Sequence, residues 1–167
     1  MNGPNGIDPT CFIDDDGQAY LYWGDSGNAK MAKLADNMLE LAESPRDVDY
    51  GSDNMGEGSY MHKHDGIYYY SYTCNECSPD QGYYSMGTSP YGPFEYKGAI
   101  NATPPDAQDH HSIIEYHGQS YYFYHRGDYN GGDMFRRNAC VDYLYYNEDG
   151  TIQKIVQTDQ GVQAVLF

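Results

Sequence analysis

The feature that most constrains this chain is an aromatic hairpin pattern that occurs three times. Residues 12–22, 61–72 and 114–124 each contain a strand-like run, a turn glycine and a second run rich in tyrosine. The turn glycines are Gly17, Gly66 and Gly118, which lie 49 and 52 residues apart. A short glycine-containing turn between two such runs is typical of a β-hairpin. The sequence therefore predicts an all-β fold built from a repeated unit.

Each of the first two repeats continues with further strand-like segments, at residues 28–34, 82–86 and 88–97. Four strands in about 50 residues are typical of one blade of a β-propeller. We therefore predict a single partial propeller domain over residues 1–167, with four-stranded antiparallel blades at about 7–55, 56–108 and 109–167. The later pair Asp149 and Gly150 is expected to form another hairpin in the third repeat or to begin a closing one.

Acidic residues occupy equivalent positions in the three repeats. The residue nine positions before each turn glycine is Asp8, Glu57 or Asp109, and His110 follows the last of them. Propellers carry functional groups where the innermost strands meet the central channel. If rotation relates the blades, these side chains meet at one end of that channel. Aspartate is also common at turns and strand starts, so a purely structural role stays open, above all for Asp109.

Converging carboxylates are suited to acid–base chemistry. A carboxylic acid beside a carboxylate can hold its proton, because repulsion and partial burial separate the two pKa values. Hydrolysis of a glycosidic bond uses such groups. Aromatic rings also offer flat faces to sugars, and the single tryptophan, Trp23, is the candidate for that contact. Packing within β-sheets accounts for most of the tyrosines.

The charge of the chain excludes several partners. The sequence has 25 acidic and 9 basic residues, for a net charge of −16. Nucleic acids and anionic membranes attract basic surfaces, so we expect neither as a partner. Neutral carbohydrates meet no such repulsion. No signal peptide or long apolar run is present, so the chain as given is expected to be cytoplasmic, or secreted if its N-terminus is truncated.

The cysteines and the aspartate run suggest no separate metal site. A four-thiolate zinc site usually needs two closely spaced pairs, and Cys74 with Cys77 is the only close pair in the sequence. We therefore expect ordinary loop or core thiols. The run from Asp14 to Gly17 lacks the alternating ligands of a calcium loop, so a hairpin turn is expected there.

Four segments together resemble glycoside hydrolase family 43. They are residues 3–17 (GPNGIDPTCFIDDDG), 57–63 (EGSYMHK), 88–94 (TSPYGPF) and 110–112 (HHS). They match that family in order and spacing across nearly the whole chain. The resemblance implies a five-bladed propeller and an inverting glycosidase, of the β-xylosidase, α-L-arabinofuranosidase or arabinanase type. It also implies a substrate such as xylan, arabinan or arabinoxylan, and a role in xylan degradation.

The resemblance further implies roles for individual residues. Glu57 would be the general acid, and Asp8 would tune the pKa of that acid and orient it. His110 would contact a central calcium ion within a water-rich shell, and His111 is the less expected ligand. An arginine at 136 or 137 would reach the hydroxyl groups of the sugar, with Arg137 slightly preferred to Arg136.

The chain also departs from the family pattern. Family members carry the catalytic base in a blade before the position of Asp8, and only seven residues precede Asp8 here. We therefore expect a truncated enzyme of about three blades, whose base is missing or comes from another chain. Exposed blade edges favour a homo-oligomer. The alternative is a propeller fragment that binds carbohydrate or calcium without catalysis.

Overall fold

The computed structural model describes residues 6–25, 27–52, 56–74, 81–102, 110–133 and 135–163. In these ranges the chain forms eleven β-strands in three antiparallel sheets, and it has no helix long and apolar enough to cross a membrane. The first sheet contains β1 (Thr10–Ile13), β2 (Ala19–Trp23), β3 (Lys30–Lys33) and β4 (Arg46–Asp47). The second contains β5 (Glu57–His64), β6 (Ile67–Thr73), β7 (Gly82–Gly87) and β8 (Glu95–Ala99). The third contains β9 (Ser112–Tyr116), β10 (Gln119–Arg126) and β11 (Asn138–Leu144).

The three sheets are blades of a β-propeller. In each sheet the strands pair in sequence order as an antiparallel meander. The first strands of the sheets lie next to one another, with β1 beside β5 and β5 beside β9. This is how the innermost strands of propeller blades surround an axis. The prediction of an all-β, partial propeller is therefore confirmed, whereas the numerical blade boundaries stay a prediction.

The third blade differs from the predicted four-stranded form. In the part of the chain that the structure describes, it has three strands. After β11 the chain turns and returns only as a single bridge between Tyr146 and Ile152. Ile155 then pairs with Asn101, next to the second sheet. Because Ile152 and Ile155 are buried between the second and third sheets, the chain is drawn away from the position of a fourth strand.

Tyrosine rings form most of the core between the blades. β6 is buried on both of its faces, because it lies in the central blade. Tyr70 and Tyr72 face the first sheet and are fully buried there, in the same cluster as Tyr22. Tyr69 faces the third sheet, where it joins the cluster that contains Tyr122. Burial of one such side chain contributes about 2–3 kcal/mol. Because alternate residues of β6 face opposite sheets, this one strand joins the central blade to both of its neighbours.

The predicted turn glycines lie in hairpin turns. Gly17, Gly66 and Gly118 have φ values of 83°, 77° and 75°, a region that glycine enters without steric cost. The aspartate run is also a turn, closed by a 2.9 Å hydrogen bond from the amide of Gly17 to the carbonyl of Asp14. At the same end of the blade, Lys63 Nζ lies 2.7 Å from Asp14 Oδ1 and joins the first two sheets.

The cysteines follow the expectation only in part. Cys11 and Cys140 are free thiols, as expected. Cys74 is buried and disulfide-bonded, so the expectation of a free thiol at that position is wrong. Cys77 lies outside the described residues.

Candidate active site

Three side chains meet where the innermost strands of the blades begin. Asp8 lies two residues before β1, Glu57 is the first residue of β5, and His110 lies two residues before β9. Their ligating oxygen and nitrogen atoms all lie within 4.8 Å of one another. The equivalent positions of the repeats therefore converge, as the offset from the turn glycines predicts for Asp8 and Glu57. Asp109, the third acidic residue of that pattern, lies outside the described residues.

His110 lies between the two carboxylates. Its Nε2 atom is 3.2 Å from Glu57 Oε1 and 3.8 Å from Asp8 Oδ2. The Glu57 side chain is 17% exposed, against 25% for Asp8 and 34% for His110. Partial burial of this kind reduces the contact of the side chains with water. The acid named by the resemblance is thus the most shielded member of the cluster.

The backbone around both carboxylates is unusual. Asp8 has a φ of 51°, a left-handed conformation that few residues other than glycine adopt. Its Oδ2 atom accepts a hydrogen bond of 3.3 Å from the amide of Gly58, the residue after Glu57. Gly58 has a φ of 67° and lies at a β-bulge. Such local departures from regular structure are frequent at functional sites, where they direct a side chain.

A pocket of about 280 Å³ opens beside the cluster. It lies between the first residues of the three innermost strands and is lined by Asp8, Pro9, Thr10, Gly58, Ser59, Tyr60, His110 and His111. Its volume is just below the range of small-molecule sites, which begins at about 300 Å³. Asp8 and His110 line this space, and Glu57, which is not among the lining residues, lies 3.2 Å from His110. The pocket therefore suits a small polar ligand such as one sugar unit.

His111 has a structural contact that sequence reasoning does not reveal. Its Nε2 atom lies 2.8 Å from Ser71 Oγ, and its ring stacks on Tyr122 at a centroid distance of 5.3 Å. Ser71 is 40 residues away in β6 and carries no sequence signal of its own. These contacts with Ser71 and Tyr122 hold the His111 side chain in place, next in sequence to His110.

The two candidate arginines lie in different surroundings. Arg136 is exposed, and its Nε donates to Asp133 Oδ2 at 2.8 Å. Arg137 directly precedes β11, whose first residue pairs with Arg126 at the end of β10. The neighbouring His125 has its ring centroid 6.3 Å from that of His110. Arg137 is therefore at the strand end next to the cluster, and its contact with a sugar stays a prediction.

Trp23 lies at the same end of the first blade but on the other face. The next amide, from Gly24, donates to the carbonyl of Ile7 at 3.0 Å. The indole packs in the cluster that contains Leu21, on the face opposite to that of Tyr22. Trp23 does not line the pocket described above, so a contact between its ring and a substrate also stays a prediction.

Comparison with known proteins identifies the family of the chain. The model of the family described as glycosyl hydrolases family 43 matches residues 1–152. A xylosidase/arabinosidase from Bacteroides ovatus is 30% identical, over 96% of this chain and 60% of that protein. The chain spans about 60% of the length of this relative and of two further curated relatives that it matches.

Solved structures give the same result. A β-xylosidase/α-arabinofuranosidase from a compost microbial metagenome, in complex with xylotriose and in a calcium-free form, superimposes with a TM-score of 0.85 at 30% identity. The match covers 93% of this chain and 59% of that one. An α-L-arabinofuranosidase from Clostridium thermocellum has a TM-score of 0.81 at 37% identity, over 95% of this chain and 56% of the other.

Proposed function

The chain belongs to glycosyl hydrolases family 43, and we propose that it hydrolyses xylosyl or arabinosyl linkages of hemicellulose by an inverting mechanism. The observation that carries this proposal is the meeting of Asp8 and Glu57 beside a pocket of sugar size. The relatives are named as xylosidases and arabinosidases, which supports the choice of linkage. The substrate is accordingly an oligosaccharide or polysaccharide such as xylan, arabinan or arabinoxylan.

In this mechanism Glu57 is the general acid. Its protonated carboxyl group donates to the glycosidic oxygen as the bond to the leaving sugar breaks. Asp8 lies in the same cluster, where the amide of Gly58 holds its carboxylate, and it would orient the acid. His110 holds the Glu57 carboxyl group through the 3.2 Å contact of its Nε2 atom.

An inverting reaction also needs a base that activates water on the opposite face of the sugar. Within the described residues, the cluster contains two carboxylates. We propose that the base comes from another chain in a homo-oligomer. The outer face of the third sheet supports such an assembly, because Ile114, Phe123 and Tyr145 are 44%, 39% and 50% exposed there. Light scattering coupled to size-exclusion chromatography tests this proposal, which a monomer at micromolar concentration would contradict.

The same cluster has the chemistry of a cation site. Two carboxyl groups and one imidazole nitrogen lie together there, and oxygen and nitrogen atoms of this kind are common metal ligands. We propose that His110 contacts a calcium ion there, with water as most of the remaining ligands, because calcium prefers six to eight oxygen donors. The ion would supply positive charge that holds the start of β9 next to β1 and β5. A rise of the melting temperature with calcium, lost in His110→Ala, is the expected result, and an equal rise in both proteins would contradict it.

The experiment that tests the proposed activity compares Glu57→Gln with Glu148→Gln, an exposed glutamate in the turn after β11. With an unactivated xylo- or arabino-oligosaccharide, Glu57→Gln should lower kcat by about 10²- to 10⁴-fold, because the leaving oxygen receives no proton. Glu148→Gln should match the wild type. Undiminished turnover in Glu57→Gln would refute the assignment.

A second candidate function is carbohydrate binding without turnover. It is favoured by the presence of two rather than three carboxylates in the described part of the site. Calorimetry with xylotriose, run beside a sensitive assay for released sugar, separates the two functions. Binding without release by the wild-type protein supports this second function, and release that depends on Glu57 excludes it.

A further inference from the structure

A single extra residue in β5 decides which way Glu57 points. The pairing of β5 with β6 places Glu57 opposite Thr73 and Tyr60 opposite Ser71. Three steps along β5 therefore match two steps along β6, so Gly58 and Ser59 share one position of the ladder. This is a β-bulge, and the left-handed φ of 67° at Gly58 is the conformation that glycine provides in one common bulge type.

The bulge reverses the side-chain alternation. In a regular strand Glu57 would share a face with Met61 and Lys63, which contact the first blade. With the extra residue it shares the face of Tyr60 instead, whose hydroxyl donates to the carbonyl of Ile113 in the third blade. A one-residue change of register moves a side chain to the other face of a sheet. The bulge thus directs Glu57 toward His110.

The bulge also holds the other two members of the cluster. The amide of Gly58 donates to Asp8 Oδ2 at 3.3 Å. The imidazole of His110 packs on the bare α-carbon, since a β-carbon added to Gly58 would lie 3.4 Å from three of the ring atoms. Residue 58 therefore sets the positions of Asp8 and His110 while the bulge turns Glu57.

A buried hydrogen bond joins the bulge to β6. The hydroxyl oxygens of Ser59 and Tyr70 lie 2.7 Å apart, and these residues are 5% and 0% exposed. The bulge interrupts the regular ladder, and this side-chain bond crosses from β5 to β6 at that place. Buried hydroxyl groups are also costly to leave unpaired, so each partner constrains the other.

We propose that Ser59 and Tyr70 are positioning residues, which act through the Gly58 bulge to hold Asp8 and Glu57 in their productive arrangement. This inference rests on the proposed function for its catalytic consequence, but its geometric part can be measured in a protein without activity. Neither residue is proposed to touch the reacting atoms.

The test uses the amide resonance of Gly58 in protein labelled with ¹⁵N-glycine. Asp8→Asn gives the reference position of this amide without a carboxylate acceptor. Ser59→Ala and Tyr70→Phe each remove one partner of the same hydrogen bond, so one variant suffices if the other does not fold. Ser85→Ala is the matched control, because Ser85 is a fully buried serine of the same sheet that donates to the carbonyl of Tyr50.

We expect Ser59→Ala or Tyr70→Phe to move the Gly58 resonance by at least half of the displacement seen in Asp8→Asn. Ser85→Ala should leave it in place. In an active protein, kcat should fall about 10- to 100-fold with KM within about twofold, because the carboxylates are misplaced rather than removed. If the wild-type protein has no activity, a displaced resonance in the variants would support the positioning role, and the proposed function would be refuted. An unmoved resonance, or an equal shift in Ser85→Ala, would overturn the inference.

Discussion

The stability of the chain should depend on pH through one buried histidine, His62. This residue of β5 is 8% exposed, and its ring stacks on Tyr69 at a centroid distance of 4.6 Å. Its Nε2 atom lies 3.0 Å from the hydroxyl oxygen of Tyr146, and its Nδ1 atom has no hydrogen-bond partner among the described residues. Burial, with smaller contributions from His111 and His64, lowers the pKa of His62 from 6.5 to about 3.

The magnitude follows from proton linkage. Between pH 6.5 and 3, the unfolded chain binds a proton at His62 and the folded chain does not, so the free energy of unfolding falls as the pH falls. The slope is roughly 1.4 kcal/mol per pH unit in the middle of this window. Between pH 7.5 and pH 5 the loss from this one residue is about 2 kcal/mol. That is a large fraction of the stability of an ordinary domain.

Urea denaturation followed by tyrosine and tryptophan fluorescence at pH 7.5 and pH 5 measures this loss. His62→Phe keeps an aromatic ring next to Tyr69 and removes the titrating group, so its stability should fall by about 2 kcal/mol less than that of the wild type over this interval. His117→Asn is the control, because His117 is exposed in the turn before β10 and has a φ of 51°, which asparagine tolerates. If His62→Phe loses as much stability as the wild type between the two pH values, the linkage argument is wrong.

Two further predictions concern the surroundings of the cluster. Gly58→Ala should lower kcat at least tenfold, because a side chain strains the left-handed backbone of the bulge that directs Glu57. Gly118→Ala, with a similar φ in a hairpin turn away from the cluster, should lose stability without a specific loss of activity. Steady-state kinetics and urea midpoints of both variants distinguish these effects, and equal kinetics in the two would contradict the prediction. Arg137→Ala should raise KM for xylotriose more than Arg136→Ala does, because Arg137 directly precedes β11 at the strand end where His125 approaches His110. Equal KM values in the two arginine variants would contradict the predicted contact between Arg137 and the sugar.

Local sequence signals were enough to predict the all-β blades and the convergence of Asp8 and Glu57. Glycine turns between aromatic runs have few alternative conformations, so Gly17, Gly66 and Gly118 identify the hairpins. The shared offset from those turns also predicts that Asp8 and Glu57 converge, because rotation-related blades repeat the same geometry.

Features that depend on tertiary packing could not be predicted in this way. Among the described residues the third blade has three strands, and Ile152 and Ile155 are buried against the second blade, which no local pattern indicates. The alternation of side chains along the sequence does not indicate the bulge at Gly58, since a glycine in a strand can equally be a regular residue. The contact between His111 and Ser71 joins two blades and requires the complete fold.

The central claim is that Glu57 donates the proton to the leaving group, and a series of aryl xylosides or arabinosides of different leaving-group pKa tests it most directly. In the wild type, kcat/KM should depend weakly on the leaving group, because proton donation assists its departure. In Glu57→Gln the dependence should become steep, with nearly normal rates for the best leaving groups and large losses for the worst. Parallel dependences in the two proteins would contradict the assignment of Glu57 as the acid.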